Sequence, residues 1–487
     1  MDQNGAQKGC KMVRCARLAS ERAFWTIFAR PYIPPNCADN AKRPRKSARM
    51  SEQPDQMQQV ADAAHTETRR TQRKPAEAGG TDTAGKADKL RWRRPSFPIV
   101  CAAMALESVA ANVVHPVEPA FYISLALPDW IFGVAFASMA LGLFLFAPFW
   151  GLVSDRIGRV RTLSLTAVLY GLAQLAFLVS TTVPSIVVAR FAAGATCAGF
   201  GVAAMAYVAD ISDARTCGRN MTLLAAVQSA ATAMGYLVGG VVGQNDPGHS
   251  FILQFFILLL VAGMALLLLA EGGAFERAQE PLTLGRANPL AALAGTRELL
   301  SPWMCAFLAS TVLACVASSA FDNSFNYYLR DQFSFPTTYN GYIYAAVGVL
   351  GLLANLTVGL RLQQARDGER ALGGVLACAA VLLASTVFAA NMPVYLGLNI
   401  AFYIFNTLYV PMMQALSIQG DTGGHGKIAG LFQSAKSVGM VAGSLAAGFV
   451  YEVSPQLPFV MAAVSFALAA GAIAVARNIA LTHGRRG

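Results

Sequence analysis

Charge is scarce in this chain. Only 13% of its 487 residues are Asp, Glu, Lys or Arg, about half the quarter typical of soluble domains. The charge present is unevenly spread: residues 1–94 hold 20 basic and 10 acidic side chains, whereas residues 95–487 hold 18 and 17. The net +11 therefore describes a basic leading segment joined to a nearly neutral body. Histidine is rarer still, with His65, His115, His249, His425 and His483 scattered along the chain, so no clustered-His metal motif is present. The nine cysteines include no C-x-x-C pair and lie mostly in apolar stretches; neither a disulfide framework nor a zinc site is expected. No G-x-x-x-x-G-K-[ST] stretch occurs, which argues against direct ATP hydrolysis. The basic segment lacks strand patterning and aromatic stacking positions, so nucleic acid is not an expected partner despite the high pI.

What the chain has in abundance is apolar sequence, 55% of all residues. A helix needs about 20 apolar residues to cross ~30 Å of hydrocarbon. Twelve such runs are found, at about 97–122, 130–150, 162–181, 184–209, 221–243, 251–270, 302–327, 341–361, 371–390, 393–417, 429–450 and 457–476. The expected fold is an all-α membrane protein in five parts: a disordered basic tail (1–94), a first six-helix bundle (95–270), a central loop (271–301), a second six-helix bundle (302–476) and a short tail (477–487). The apolar region opens near residue 97, and no cleavable signal peptide is expected. Residues 11–30 can form a basic amphipathic helix resting on anionic lipid; an upstream misassigned start reads the tail equally well.

Connections on one side of the membrane hold fifteen cations, Arg156, Arg159, Arg161, Arg215, Arg219, Arg277, Arg286, Arg297, Arg361, Arg366, Arg370, Lys427, Arg477, Arg485 and Arg486, against Arg330 alone on the other. The positive-inside rule puts both termini in the cytoplasm of a cell-membrane protein. In the fifth span Gly235 and Gly239 form a G-x-x-x-G matched by Gly439 and Gly443 in the eleventh, with Gly240 adjoining the first pair. Small residues four apart let helix backbones approach, and their matched positions point to an internal six-plus-six duplication.

Between the second and third spans stands Gly151-Leu-Val-Ser-Asp155-Arg156-Ile-Gly158-Arg159-Val-Arg161. Here the chain resembles the major facilitator superfamily, whose first cytoplasmic loop carries G-x-x-x-D-R-x-G-R-x-[RK]. The resemblance implies two six-helix bundles related by a pseudo-twofold axis and transport by alternating access. It implies a cytoplasmic gate formed by Asp155 and Arg159, with Gly151, Arg156 and Gly158 in the same motif and Asp210, at the end of the fourth span, a third charged member. The bland reading keeps the arginines for topology alone. Locally, Gly151 allows close packing, Gly158 allows a tight turn, and Asp155 is placed to bond arginines or a helix N-terminus. The second-half copy, Gly359 to Arg370, carries Gln363 in place of the acid and is expected to serve topology and packing.

Ionisable groups inside a bilayer are costly, so each is a functional candidate. Glu107 lies ~15 Å into the first span. Arg190 opens Arg190-Phe-Ala-Ala-Gly194, similar to the family's R-x-x-x-G element, whose arginine is linked to proton coupling in many members. Glu107 and Arg190 are expected to share a cavity, to pair through an intermediary, or to form a permanent ion pair fastening two helices. The run His115-Pro116-Val-Glu118-Pro119 is expected to close the first span, with His115 and Glu118 facing an outer vestibule as further coupling candidates or as satisfied interfacial groups. Asp322, Asn323 and Asn326 in the seventh span, Asn399 and Asn406 in the tenth and Lys436 in the eleventh are candidates for lining a substrate cavity or for bonding another helix. The aromatic residues Tyr344 and Tyr403 belong to a second-half group that supplies interfacial belts or a cavity wall.

Within the superfamily the fifth span resembles the drug/proton antiporter signature G-x-x-x-G-P-x-x-G-G, read here as Ala231-Thr-Ala-Met-Gly235-Tyr236-Leu-Val-Gly239-Gly240. Three glycines match; the first is Ala231 and the Pro is Tyr236. The leading expectation is proton-coupled efflux of small or amphipathic molecules, with protons, lipid and the substrate as the only partners and with neither resident cofactor nor metal. A proton-coupled uptake permease is the alternative, and a multi-spanning enzyme a distant third.

Overall fold

The computed structural model describes residues 96–213, 216–271, 300–363, 367–389, 391–418 and 425–482. The basic tail, nearly all of the central loop and the last five residues lie outside these, as do Arg215, Arg277, Arg286, Arg297, Arg366, Arg485 and Arg486. Among the described residues the chain is helical, with no strand.

Helices begin where the sequence forces them to. Pro98, Pro119, Pro184, Pro247 and Pro302 each occupy a first helical turn, where a missing N–H costs nothing. Asp246, Ser301 and Asp367 accept bonds from the N–H groups of Gly248, Met304 and Arg370 at other starts, satisfying donors that the helix leaves free.

The first half comprises α1 (Phe97–Val113), α2 (Glu118–Ser124), α3 (Ile131–Ile157), α4 (Arg159–Leu178), α5 (Val183–Asp210), α6 (Cys217–Val242) and α7 (Pro247–Leu268). The second comprises α8 (Pro302–Asp331), α9 (Thr337–Ala354), a π turn (Asn355–Gly359), α10 (Leu360–Gln363), α11 (Gly368–Thr386), α12 (Met392–Ile418), α13 (His425–Val453) and α14 (Leu457–Thr482). Eleven of these helices or joined pairs are long and apolar enough to span a bilayer. The expected eleventh span, α13, falls outside that group: its Gly, Ser and Ala residues and Lys436 dilute its apolarity, yet it packs along α8 and α3 as a full-length member.

Two boundaries differ from expectation. The two prolines interrupt the first span without closing it: helix resumes at Glu118 as α2, so the acid stands in the first turn of a helix. And α3 continues past Trp150 to Ile157, which puts Gly151 and Asp155 on a helix rather than in a loop. Gly158 alone separates α3 from α4, with φ +106°, a conformation that favours glycine.

The halves repeat one packing scheme. In the first, α1 runs along α6, with Gly235 against Val109 and Asn112 and Gly239 against Val113; in the second, α8 runs along α13, with Gly439 against Val312 and Cys315 and Gly443 against Val316. Any side chain at these glycines would strike backbone of the facing helix. The halves meet through α3 with α13 and α6 with α9. Gly133 touches Gly448 and the Ser444 carbonyl, and Gly240 touches Gly341.

These inter-half contacts gather at one end of the bundle. First-half side chains that join the second-half core, among them Val117, Phe121, Tyr122, Phe132 and Phe251, come from the end opposite Gly158. At the Gly158 end, Val100, Met104, Leu163, Phe200, Tyr207 and Leu269 form a cluster built from first-half residues alone. Among the described residues the two cores are thus fused at one end and separate at the other.

Candidate functional site

At the fused end, the most deeply buried charge is Arg190 of α5, with 0% of its surface exposed. Its partner is Glu118: Arg190 Nη1 lies 3.1 Å from Glu118 Oε1, and Nη2 donates to Oε2 at 3.3 Å. Phe177 places its ring 5.1 Å from the guanidinium carbon, a cation–π contact strengthened by exclusion of water. Phe121, Phe177 and Phe251 pack edge to face beside it. An unpaired charge at such depth is expensive, and the pair answers that cost locally.

Glu118 is also 3.2 Å from His115 Nδ1. His115 joins the two halves, because its carbonyl accepts from Asn326 Nδ2 at 2.7 Å and its ring stacks on Tyr236 at 5.8 Å between centroids. Tyr236 in turn stacks on Tyr344 of the second half at 4.6 Å and an interplanar angle of 10°.

The Glu107 to Arg190 ion pair is not formed. Glu107 is buried, and its contact on α5 is Cys197, whose Sγ lies 3.9 Å from Oε1. Cys197 is seven residues from Arg190, about 10 Å along the helix. Depth in the first span made Glu107 the expected mate, but the helix break at Val114–Val117 turns Glu118 inward to take that place. Asp322 of α8 is half-buried. Its Oδ2 accepts weakly from Ser318 at 3.4 Å, its backbone carbonyl accepts from Tyr344 at 3.0 Å, and its Oδ1 is buried without a hydrogen-bond partner.

Two of the cavity candidates are engaged in packing. Asn323 donates to the Ser319 carbonyl at 2.8 Å and to Ser444 Oγ at 3.1 Å, which ties α8 to α13. Asn326 clamps the halves through His115 and receives a bond from Asn340 at 3.0 Å. Tyr327 adds a second clamp by donating to Asp129 at 2.8 Å. Asn399 and Asn406 are buried with an unpartnered amide oxygen each. Lys436 is half-buried; the α8–α13 register sets it beside residue 309, about 20 Å of helix below Asp322.

At the separated end, Arg159 forms an ion pair with Asp155 and another with Asp210 at 2.9 Å, and donates to Ser154 at 3.1 Å. These partners all belong to the first half. Arg156 is exposed. The N-terminus of α4 is met by Glu271, not by Asp155: Glu271 accepts from the N–H groups of Arg159 at 2.9 Å and Val160 at 3.1 Å, a carboxylate on the positive end of the helix dipole. Sequence reading missed Glu271, which lies more than a hundred residues away with no local spacing to announce it. Gly151 also departs from its expected role, since an added Cβ would meet only Val202 at 3.8 Å. The close approach of α3 to α5 is made higher up, by Gly142 against Phe191 and by Gly194 against Met139.

The sequence profile of the Major Facilitator Superfamily matches residues 97–421. The chain is 24% identical over 379 residues to Multidrug resistance protein 2 of Bacillus subtilis (strain 168), covering 77% of this chain and 93% of that one. It is 27% identical over 365 residues to Tetracycline resistance protein, class C, of Escherichia coli, covering 73% and 89%. Among solved structures, a bacterial homolog of the human lysosomal transporter Spinster, inward-facing and unoccupied, matches with a TM-score of 0.67 at 12% identity, covering 82% of this chain and 98% of that one.

Proposed function

Because the chain belongs to the Major Facilitator Superfamily, we propose that it exports small or amphipathic molecules across the cell membrane in exchange for protons, with both termini cytoplasmic. The observation that carries the reading is the division of the bundle into a fused end and a separated end around buried charge. The cations of the connections, Arg156 and Arg161 among them, mark the Gly158 end as cytoplasmic. In that orientation the two cores are separate on the inner side, the arrangement from which an exporter would load. Rocking of one half on the other then requires the seams at Gly133–Gly448 and Gly240–Gly341 to part.

The resistance proteins to which the chain is similar support export over import. For the proton, Glu107 is the best placed carrier: buried, next to the Cys197 thiol, and without the arginine that fixes Glu118. A carboxyl group so placed exchanges a proton more readily than one locked in an ion pair. Lipid, protons and the substrate suffice as partners on this reading, and no resident cofactor is invoked.

The test is transport by purified protein in proteoliposomes with an imposed pH gradient, comparing wild type with Glu107→Gln. Gradient-driven movement of a cationic dye by wild type, and its loss in the variant, is the expected result; retained gradient-driven transport in Glu107→Gln removes that residue from the proton path. Whole cells supply the direction. An exporter lowers accumulation of the dye, whereas an uptake permease raises accumulation of its substrate.

A further inference from the structure

Where α8 and α11 end and α12 and α14 begin, at the outer face of the second half, the packing leaves a cavity of about 250 Å³. Every described residue that lines it belongs to the second half. Four rings make one wall. Tyr328 meets Phe333 and Phe459 edge to face at 5.4 and 5.3 Å between centroids, and Tyr395 meets the same two at 5.7 and 6.3 Å. The remaining apolar lining is small or aliphatic, from Val387, Ala389 and Met392. Two exposed amide side chains, Asn391 and Gln456, stand at the mouth.

The lining selects for a particular chemistry. None of the described lining residues is charged, so a ligand ion would lose its water with no counter-charge to meet. The rings touch one another, and their faces do not converge on a central point as the cage around a quaternary ammonium does. A flat aromatic body laid against them gains further ring contacts. The two amides are not equivalent. Gln456 bonds the Tyr328 hydroxyl, whereas Asn391 spends only its Oδ1, which accepts from the Val394 N–H at 3.1 Å, and keeps its amide hydrogens for an acceptor. An apolar cavity of about 150 Å³ holds benzene; the larger one here has room for a second fused ring and a small substituent.

We propose that this cavity is a binding site for an uncharged two-ring aromatic molecule bearing one hydrogen-bond acceptor, held by the ring wall and by the Asn391 amide. Phe388, between the lining residues Val387 and Ala389, is 85% exposed, which sets the mouth beside lipid, at the level where amphipathic rings collect. Because no first-half residue takes part, the site stays complete when the seams between the halves part. It lies off the route between the halves and is independent of the direction and coupling of transport.

The experiment is equilibrium binding of tritiated 2-acetonaphthone to the full chain in lipid nanodiscs, with the counts on protein-free nanodiscs subtracted. Wild type is expected to bind saturably. Ala389→Phe fills the cavity and should abolish binding while keeping the thermal midpoint at or above that of wild type. Asn391→Asp keeps the helix cap but removes the donor, and should weaken binding about tenfold. Gly341→Leu, which forces bulk into the seam between the halves, should bind as wild type does. Competition on wild type alone covers the case in which a variant does not fold: 2-ethylnaphthalene, lacking the acceptor, should displace the probe about tenfold more weakly than the unlabelled ketone, and (2-naphthylmethyl)trimethylammonium should not displace it. Equal binding by folded Ala389→Phe or Asn391→Asp, loss of binding in folded Gly341→Leu, or displacement by the ammonium or by 2-ethylnaphthalene as strong as by the ketone would each overturn the site. So would no saturable binding by wild type; if binding then appears on transfer to detergent, the cavity belongs to a lipid chain.

Discussion

Arg190 and Glu118 hold each other across two helices by contacts of 3.1 and 3.3 Å, with the guanidinium wholly removed from solvent. Removing one partner leaves a charge that nothing else at that depth can answer. Glu118→Gln should therefore lower stability by about 3–5 kcal/mol, read as a lower thermal midpoint in detergent. The double variant Glu118→Gln with Arg190→Met should regain most of that stability without regaining transport. If the double variant unfolds as early as the single one, the pair is not the source of the loss.

Glu271 caps α4 through two backbone N–H groups at 2.9 and 3.1 Å. Truncation by Glu271→Ala should cost about 1 kcal/mol and slow transport moderately, whereas Glu271→Asp should keep part of the cap. Thermal unfolding of the three proteins side by side gives the order.

At the motif itself, Asp155 and Asp210 share Arg159 unequally: the Asp155 side chain is 45% exposed and that of Asp210 22%. Loss of the more solvated acid is the cheaper. Asp155→Asn should remain in the membrane and slow transport several-fold less than Asp210→Asn does, with initial rates in proteoliposomes as the measure. Equal rates for wild type and both variants would leave the arginine with a topological role alone.

The seam glycines separate folding from motion. Gly239 faces Val113 within the first half, and Gly240 faces Gly341 across the halves. Gly239→Val should destabilise the first half by about 1–3 kcal/mol through overpacking. Gly341→Leu should leave each half folded but hold the fused end apart, abolishing transport. Spin labels on α3 and α13 would report the second effect as a longer distance at that end; an unchanged distance would count against it.

The spans, their two sets of six and the glycines between them were legible because each is written as a local pattern: apolar length, cation placement, four-residue spacing. The side-chain pairs were not. Glu107 stood closer to the expected depth than Glu118 did, and only the break at Val114–Val117 with its restart at Glu118 decides which acid reaches Arg190. Asn323 and Asn326 looked alike as polar residues at depth, yet one bonds a neighbouring helix and the other the opposite half. Gly151 shows the converse: a motif position whose local rationale, tight packing, is supplied by Gly142 and Gly194 instead.

Gly158 is the whole of the connection between α3 and α4. A joint one residue long keeps the ends of α3 and α4 together, so a rotation of α3 is expected to move α4, and with it the α7 packed on α4 and the Glu271 cap. The helix that forms half of the seam with α13 is thereby geared to the far side of its own bundle. The motif around Gly158 is then a crank as well as a set of charges, and lengthening it by even one flexible residue should uncouple the stroke at one end of the molecule from the opening at the other.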